Sequence, residues 1–305
     1  MEKVVNRRVM SGRKKDLIFY ILMMLFPIAQ FSIMYIGVNF NSFLLSFKNI
    51  DIDGNYTWTF SNISDAFNLL RTSPLLRSAA KNSLSSYLLL TFIGTPLGLV
   101  FSFYIYKKLP LSGAFRVILF LPSIISAIVM VTIFQFFVER AIPAFWQKAF
   151  NVKIKGLIEN QASRYATIIF YNLWVGFGTG VLMYSNAMSG IPQEIVESAH
   201  LDGATGINEF WRITLPMVYP TLSTFLITGV AGLFTNQINL YSFYGGSAPE
   251  SVQTYGYYLF TRTQLAKSES EYPLLSAMGL LFTMVIVPLT FGVKWMLEKF
   301  GPKED

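Results

Sequence analysis

The sequence contains no cysteine and a single histidine, His200. Disulfides, thiolate nucleophiles and Cys-ligated zinc or iron–sulfur sites are excluded, and so are multi-histidine metal sites. No catalytic set and no metal site is expected. Charge is scarce as well: 13% of the 305 residues are Asp, Glu, Lys or Arg, against about 25% in a soluble domain. No GxxxxGK[ST] phosphate loop occurs, so the chain does not bind ATP in that way. No internal repeat is visible. The formal charge of +7 does not point to nucleic acid, because the basic residues collect at the chain ends and between apolar runs, where they set membrane topology.

What is present is apolar: 53% of the residues are hydrophobic and 16% aromatic. A bilayer core of about 30 Å needs about 20 residues at 1.5 Å each. Six runs meet that length, roughly 17–40, 84–106, 115–137, 165–188, 215–240 and 272–297. The expected fold is an all-α integral membrane protein, one six-helix domain over 17–297 between a basic tail, 1–16, and a short tail, 298–305. The first run follows "MEKVVNRRVMSGRKK". It is too long for a signal-peptide core and lacks a small-residue cleavage site, so it reads as a retained helix. With both termini inside, the inner segments hold about 13 Lys and Arg in about 60 positions and the outer ones about 11 in about 100, the bias of an N-in, C-in chain. Between their terminal turns the six runs carry no charge, which disfavours ion-coupled pumping.

Against this background "EIVESAHLDGATGINEFWRITLPMVYP" is an island, with Glu194, Glu197, Asp202 and Glu209 against Arg212. Pro192 suits a first helical position and Glu194 and Glu197 the first turns. A short helix over about 192–201 would align Ile191, Ile195 and Ala199 as one apolar stripe. Asp202 and Gly203 form a turn signal, and Thr205 is placed to cap a second short helix carrying Ile207, Phe210, Trp211 and Ile213. A lipid-bound surface helix would be rich in Lys and Arg. This loop is acidic, so a partner other than lipid is expected.

The run 191–220 resembles the EAA loop of binding-protein-dependent ABC importer permeases, most of all the maltose and glycerol-phosphate type. The match is carried by Pro192, Glu197, Ala199, Asp202, Gly203, Ala204, Phe210, Ile213, Leu215, Pro216 and Pro220, about 100 residues from the carboxyl end. Ser198 replaces the middle alanine of the motif, and His200 is not one of its hallmarks. The resemblance implies a cytoplasmic coupling-helix loop over 191–216, between helices 4 and 5, that docks into a groove on an ATPase. Glu197, Ser198, Ala199, Asp202, Gly203 and Ala204 would form the contact. It further implies a bacterial cytoplasmic membrane and a second, different permease subunit. Two ATPase subunits holding ATP and Mg, and an external sugar-binding protein, would complete the assembly.

Sugar sites combine aromatic faces with amides and hydroxyls. On that ground Asn236, Gln237, Asn239 and Tyr241 with Phe234, then Asn172 and Trp174 with Tyr171, and Gln135 are candidate path residues. Amides in spans also stitch helices together. With no Lys or Arg between the terminal turns of the runs to meet a phosphate or uronate, a neutral oligosaccharide is the expected cargo. Two rival classes are an ion-coupled transporter and a membrane enzyme using Asp51, Asp53 and Asp65. The Ser11/Lys14 spacing of some acyl enzymes lies in the basic tail and reads as chance. "GFGTG" at 176–180 reads as helix packing, and the sequons at Asn55 and Asn62 carry little weight in a bacterial host.

Overall fold

The structure, a computed structural model, describes the backbone of residues 2–50 and 55–302, and side-chain surroundings from residue 16 on. Asp51 and Asp53, the side chains of Ser11 and Lys14, and residues 303–305 lie outside that range. The chain forms two compact units, 1–67 with 267–280, and 68–266 with 281–305.

In the first unit, α1 (Glu2–Gln30) runs through a π-helical segment, Phe31–Gly37, into α2 (Val38–Leu45). The stretch Asp16–Leu45 is long and apolar enough to cross a membrane. Residues 2–16, expected as a tail, are part of α1. A two-stranded antiparallel ribbon, β1 (Lys48–Ile50) with β2 (Tyr56–Trp58), departs from the all-α expectation. The Lys48 ammonium lies 5.1 and 5.3 Å from the Tyr56 and Trp58 ring centroids, so the ribbon is held by cation–π contact as well as backbone pairing. On α3 (Ser61–Thr72) the Asn62 amide donates to the carbonyls of Lys48 (2.8 Å) and Ser46 (3.3 Å), so this sequon asparagine is committed to the fold.

The second unit begins with α4 (Pro74–Tyr106), capped by Ser73, whose hydroxyl accepts the Leu76 N–H, with Pro74 where a missing N–H costs nothing. The run expected as one span over 115–137 is instead two helices, α5 (Ser112–Ile124) and α6 (Ala127–Phe136). Ile125 and Ser126 are extended between them, three residues after Pro122, which cannot donate to the helical ladder. Beyond α6 the helix does not stop. A π turn, Phe137–Ala141, leads into α7 (Ile142–Phe150), and Ala127–Phe150 as a whole is long enough to cross a membrane.

Next come α8 (Gln161–Ser189), α9 (Gln193–Leu201), α10 (Ile207–Glu209), α11 (Leu215–Met217) and α12 (Tyr219–Ala231). The expected fifth span, 215–240, is broken twice. Ile207–Met217 and Tyr219–Ala231 meet at a 66° bend at Val218, flanked by Pro216 and Pro220, and the helix ends at Ala231. Residues 232–239 turn, with Ile238 (φ +45°) and Asn239 (φ +58°) left-handed, before α13 (Leu240–Tyr244), α14 (Tyr255–Leu265) and α15 (Tyr272–Phe300). Among the described residues five helices are long enough to span, or six if the bent pair is one crossing.

The second unit is organised on α4 lying along α8. The buried Ser102 hydroxyl reaches the carbonyls of Gly98 (2.6 Å) and Val181 (2.9 Å), satisfying a polar group where no water is at hand. Gly178 of the "GFGTG" run faces the α5 backbone at Leu119 and Phe120 so closely that any Cβ would collide with it. Helix packing is thus what this glycine serves.

Candidate functional site

The polar loop between α8 and α12 starts at Pro192, which stands one position before α9 rather than inside it. Val196 and Ala199 are buried with Ile191, while Ile195 is exposed. Two of the three expected stripe residues, Ile191 and Ala199, are thus buried, and Val196 takes the place of Ile195, because a strict spacing of four drifts off a 3.6-residue helix face. Val196 and Phe210 join Leu99, Tyr184, Met188, Ile191 and Val218 in one apolar cluster, so the loop is seated on α4 and α8.

The end of α9 explains its glycine. Gly203 donates to the His200 carbonyl (3.0 Å) and Ala204 to that of Ala199 (2.8 Å), the paired bonds of a Schellman cap. Gly203 sits at φ +82°, a conformation costly to any residue with a Cβ, although space around it is open. Gly206 (φ +57°, ψ −119°) precedes α10 in a region open essentially to glycine alone, and the Thr205 side chain makes no cap. Of the expected contact residues, Glu197, Ser198 and Asp202 are exposed, Ala199 faces the core, and Gly203 with Ala204 makes the turn. Glu197 accepts a 2.6 Å bond from Gln193. Large apolar side chains stand free on the same loop: Leu201 is 90% exposed, Ile207 75% and Trp211 61%.

Glu209 does not belong to the acidic face. It is 1% exposed, and its carboxylate meets the Lys107 ammonium at 2.5 Å and His200 Nε2 at 2.9 Å. Lys107 follows directly after α4. Sequence reasoning missed this triad, because nothing in the spacing of a Lys, a His and a Glu over some hundred positions announces burial.

The amide-rich segment has a different character. Asn172 Nδ2 donates to the carbonyls of Ile168 (2.8 Å) and Ile238 (2.9 Å), and its Oδ1 accepts from Asn239 Nδ2 (2.8 Å). Gln135 donates to the Phe243 carbonyl (3.1 Å). Tyr171 is buried in an aromatic cluster with Phe134 and Phe243. These four expected path residues, Asn172, Asn239, Gln135 and Tyr171, are engaged in holding helices and turns together. Asn236 is exposed, its Oδ1 accepting only the Ile238 N–H two residues on, a local turn. Gln237 is half-buried, and Tyr241 and Trp174 are partly exposed, Tyr241 edge-on to Phe260 at 5.0 Å. Phe234 packs on Tyr255 and Phe282. A cavity of about 250 Å³ lies between α4 and α8, lined by Gly94, Gly98, Gly176, Gly180, Asn172 and Tyr184 among others. Of the path candidates, Asn172 alone borders it.

Near that segment Tyr257 anchors the 245–248 turn, accepting from the Ala248 N–H (2.9 Å) and donating to the Gly245 carbonyl (2.8 Å). Burial pushes this phenol above its ordinary range, and the Ala248 bond partly offsets the rise. No group of three or more Asp, Glu, His or Cys among the described residues is placed to hold a metal ion. Asp65 lies exposed on α3.

Residues 91–304 match the family described as binding-protein-dependent transport system inner membrane component. The multiple sugar-binding transport system permease protein MsmF of Streptococcus mutans is 24% identical over 233 residues, 76% of this chain and 79% of that one. A probable ABC transporter permease protein, MG188 of Mycoplasma genitalium, is 30% identical over 137 residues, 43% of this chain and 41% of that relative's length. The fold is also that of a chain in the crystal structure of a bacterial ABC transporter involved in the import of the acidic polysaccharide alginate. That match has a TM-score of 0.77 at 20% identity and covers 96% of this chain and 99% of the other.

Proposed function

This chain belongs to the family of binding-protein-dependent transport system inner membrane components, the permeases of ABC importers, and from that membership we propose that it carries an oligosaccharide and is driven through its 191–216 loop. Members of the family are transport subunits, with ATP hydrolysis done by a partner ATPase. Membership sets aside the ion-coupled and enzymatic alternatives. The specific parts proposed here are the docking loop, the cargo, the orientation and the assembly.

The observation that carries the docking reading is the geometry of the loop. One face of α9 is fixed to α4 and α8 through Val196, with Ala199 buried on the same face, while Leu201, Ile207 and Trp211 stand in solvent beside the exposed Glu197, Ser198 and Asp202. Exposed apolar anchors rimmed by polar groups are what a helix offers a groove. The ATPase, holding ATP and Mg, would take this face. The loop would then lie in the cytoplasm, with both termini on the same side. A second permease subunit, a second ATPase and an external sugar-binding protein complete the proposed assembly. The relatives named as sugar permeases and the charge-free interiors of the apolar runs support a neutral oligosaccharide. Asn236, Gln237, Tyr241 and Trp174, the candidates with exposed polar or aromatic surface, are proposed to line its path.

Co-purification of the chain with its ATPase, followed by hydrolysis assays with and without loaded binding protein, tests the reading. Stimulated hydrolysis is expected. Absence of stimulation in an assembled complex contradicts it.

A further inference from the structure

A carboxylate buried as deeply as Glu209 is tolerated only when its charge is paired. Here each oxygen has its own partner, and the partners come from different elements. Oε1 meets Lys107 at the end of α4, and Oε2 meets His200 in the last turn of α9. The neighbouring residue reinforces the same junction, since the Phe210 ring packs edge-on against Phe103 of α4 at 5.2 Å. Lys107 also lies over the Phe103 and Tyr106 rings, 5.8 and 5.6 Å from their centroids, which fixes the ammonium where the carboxylate needs it. The groups facing Glu209 are thus Lys107 and Tyr106 from α4 and His200 from α9, with Tyr106 close enough to feel its charge. His200 differs from the acid in one respect: at 43% side-chain exposure it can exchange a proton with solvent, whereas Glu209 is sealed.

We infer that Glu209 is a positioning residue, a clasp that ties α9 and α10 to the end of α4 so that the loop moves with α4 as one arm, and that protonation of His200 tightens it. The inference rests on the reading of the loop as the ATPase-docking element for its consequence, though not for its geometry. Lys107 supplies a permanent cation, and His200 supplies a second one only when protonated. With the imidazole protonated the arm is held by two ion pairs, and with it neutral by one ion pair and a neutral hydrogen bond.

Because the chain has no native cysteine, Leu201→Cys gives a single site for a nitroxide label at the tip of α9. Label mobility is measured in the full-length chain, with and without its ATPase, at about pH 6 and about pH 8, on either side of imidazole titration. Otherwise wild-type protein is expected to show lower mobility at the acid value. His200→Gln should remove that difference, and Glu209→Gln should raise mobility at both values. Uptake per ATP hydrolysed should fall at least about tenfold in Glu209→Gln, a loss well within what breaking a buried pair can cost. The Lys107→Glu, Glu209→Lys double exchange should recover part of that loss. If Glu209→Gln does not accumulate, Lys107→Gln, read at the acid value where a protonated His200 still pairs the carboxylate, is expected to give the same loosening.

Unchanged mobility in Lys107→Gln and Glu209→Gln overturns the clasp, as does a wild-type pH response that survives in His200→Gln. Failure of the docking reading looks different. The labels then respond as described, but the wild-type loop is untouched by the ATPase in an assembled complex.

Discussion

Two polar islands interrupt this apolar chain, the 191–216 loop and the amide-rich segment 232–239, and the structure treats them oppositely. In the segment, the amide of Asn239 bonds that of Asn172, which in turn binds the Ile238 carbonyl, so polar groups satisfy one another and the left-handed turn at 238–239. In the loop, Glu197, Ser198 and Asp202 face outward, and Leu201, Ile207 and Trp211 with them. In a membrane protein a polar side chain is either consumed by the fold or kept for a partner. The two islands lean opposite ways, although Glu209 is consumed by the fold within the loop and Asn236 stays exposed within the segment, and their variants should fail in different ways.

The largest effect is expected at Gly203. Its φ of +82° makes any side chain strained by about 1–2 kcal/mol, and a charged one also stands at the tip of the proposed docking face. Gly203→Glu should bring uptake to background while membrane content, measured by immunoblot, falls no more than severalfold, the reach of a loss of about 1–2 kcal/mol. Next, Asn172→Ala leaves the Ile238 carbonyl and the Asn239 amide without their partner, at about 1–3 kcal/mol. Its thermal unfolding in detergent should shift down, with uptake per folded molecule kept. Lost uptake at unchanged stability would instead put Asn172 in the solute path.

Asn236→Ala removes an exposed amide whose local bond is worth about 1 kcal/mol or less. Uptake should slow severalfold without change in the binding protein's affinity, and unchanged kinetics would count against a path there. The smallest effect on the fold is expected for Trp211→Ala, within about 0.5 kcal/mol. Recovery of the ATPase on affinity beads should nevertheless fall, since the indole, apart from its edge contact with Phe210 at 5.3 Å, is exposed to serve as an anchor.

Hydropathy made the helical membrane architecture legible, because run length alone decides whether a helix can span. It did not show where spans break. The interruptions at Ile125–Ser126 and Val218 depend on how Pro122, Pro216 and Pro220 are accommodated by neighbours, which composition does not record. The Gly203 turn was readable, since Asp-Gly after a short helix has one common use. Which face of α9 is buried was not, because Ile195 and Val196 are equally apolar and only packing on Leu99 and Met188 separates them. His200 had no visible purpose until Glu209 proved to be buried beside it.

The central claim is that the loop is the ATPase-docking element, and a single cysteine tests it most directly. Ile207→Cys, at a 75% exposed site on a chain without native cysteine, carries a photoactivatable cross-linker in the assembled complex. A cross-link to the ATPase subunit that diminishes when Gly203→Glu is added is expected. A complex that co-purifies intact with no cross-link from this position to the ATPase would contradict it.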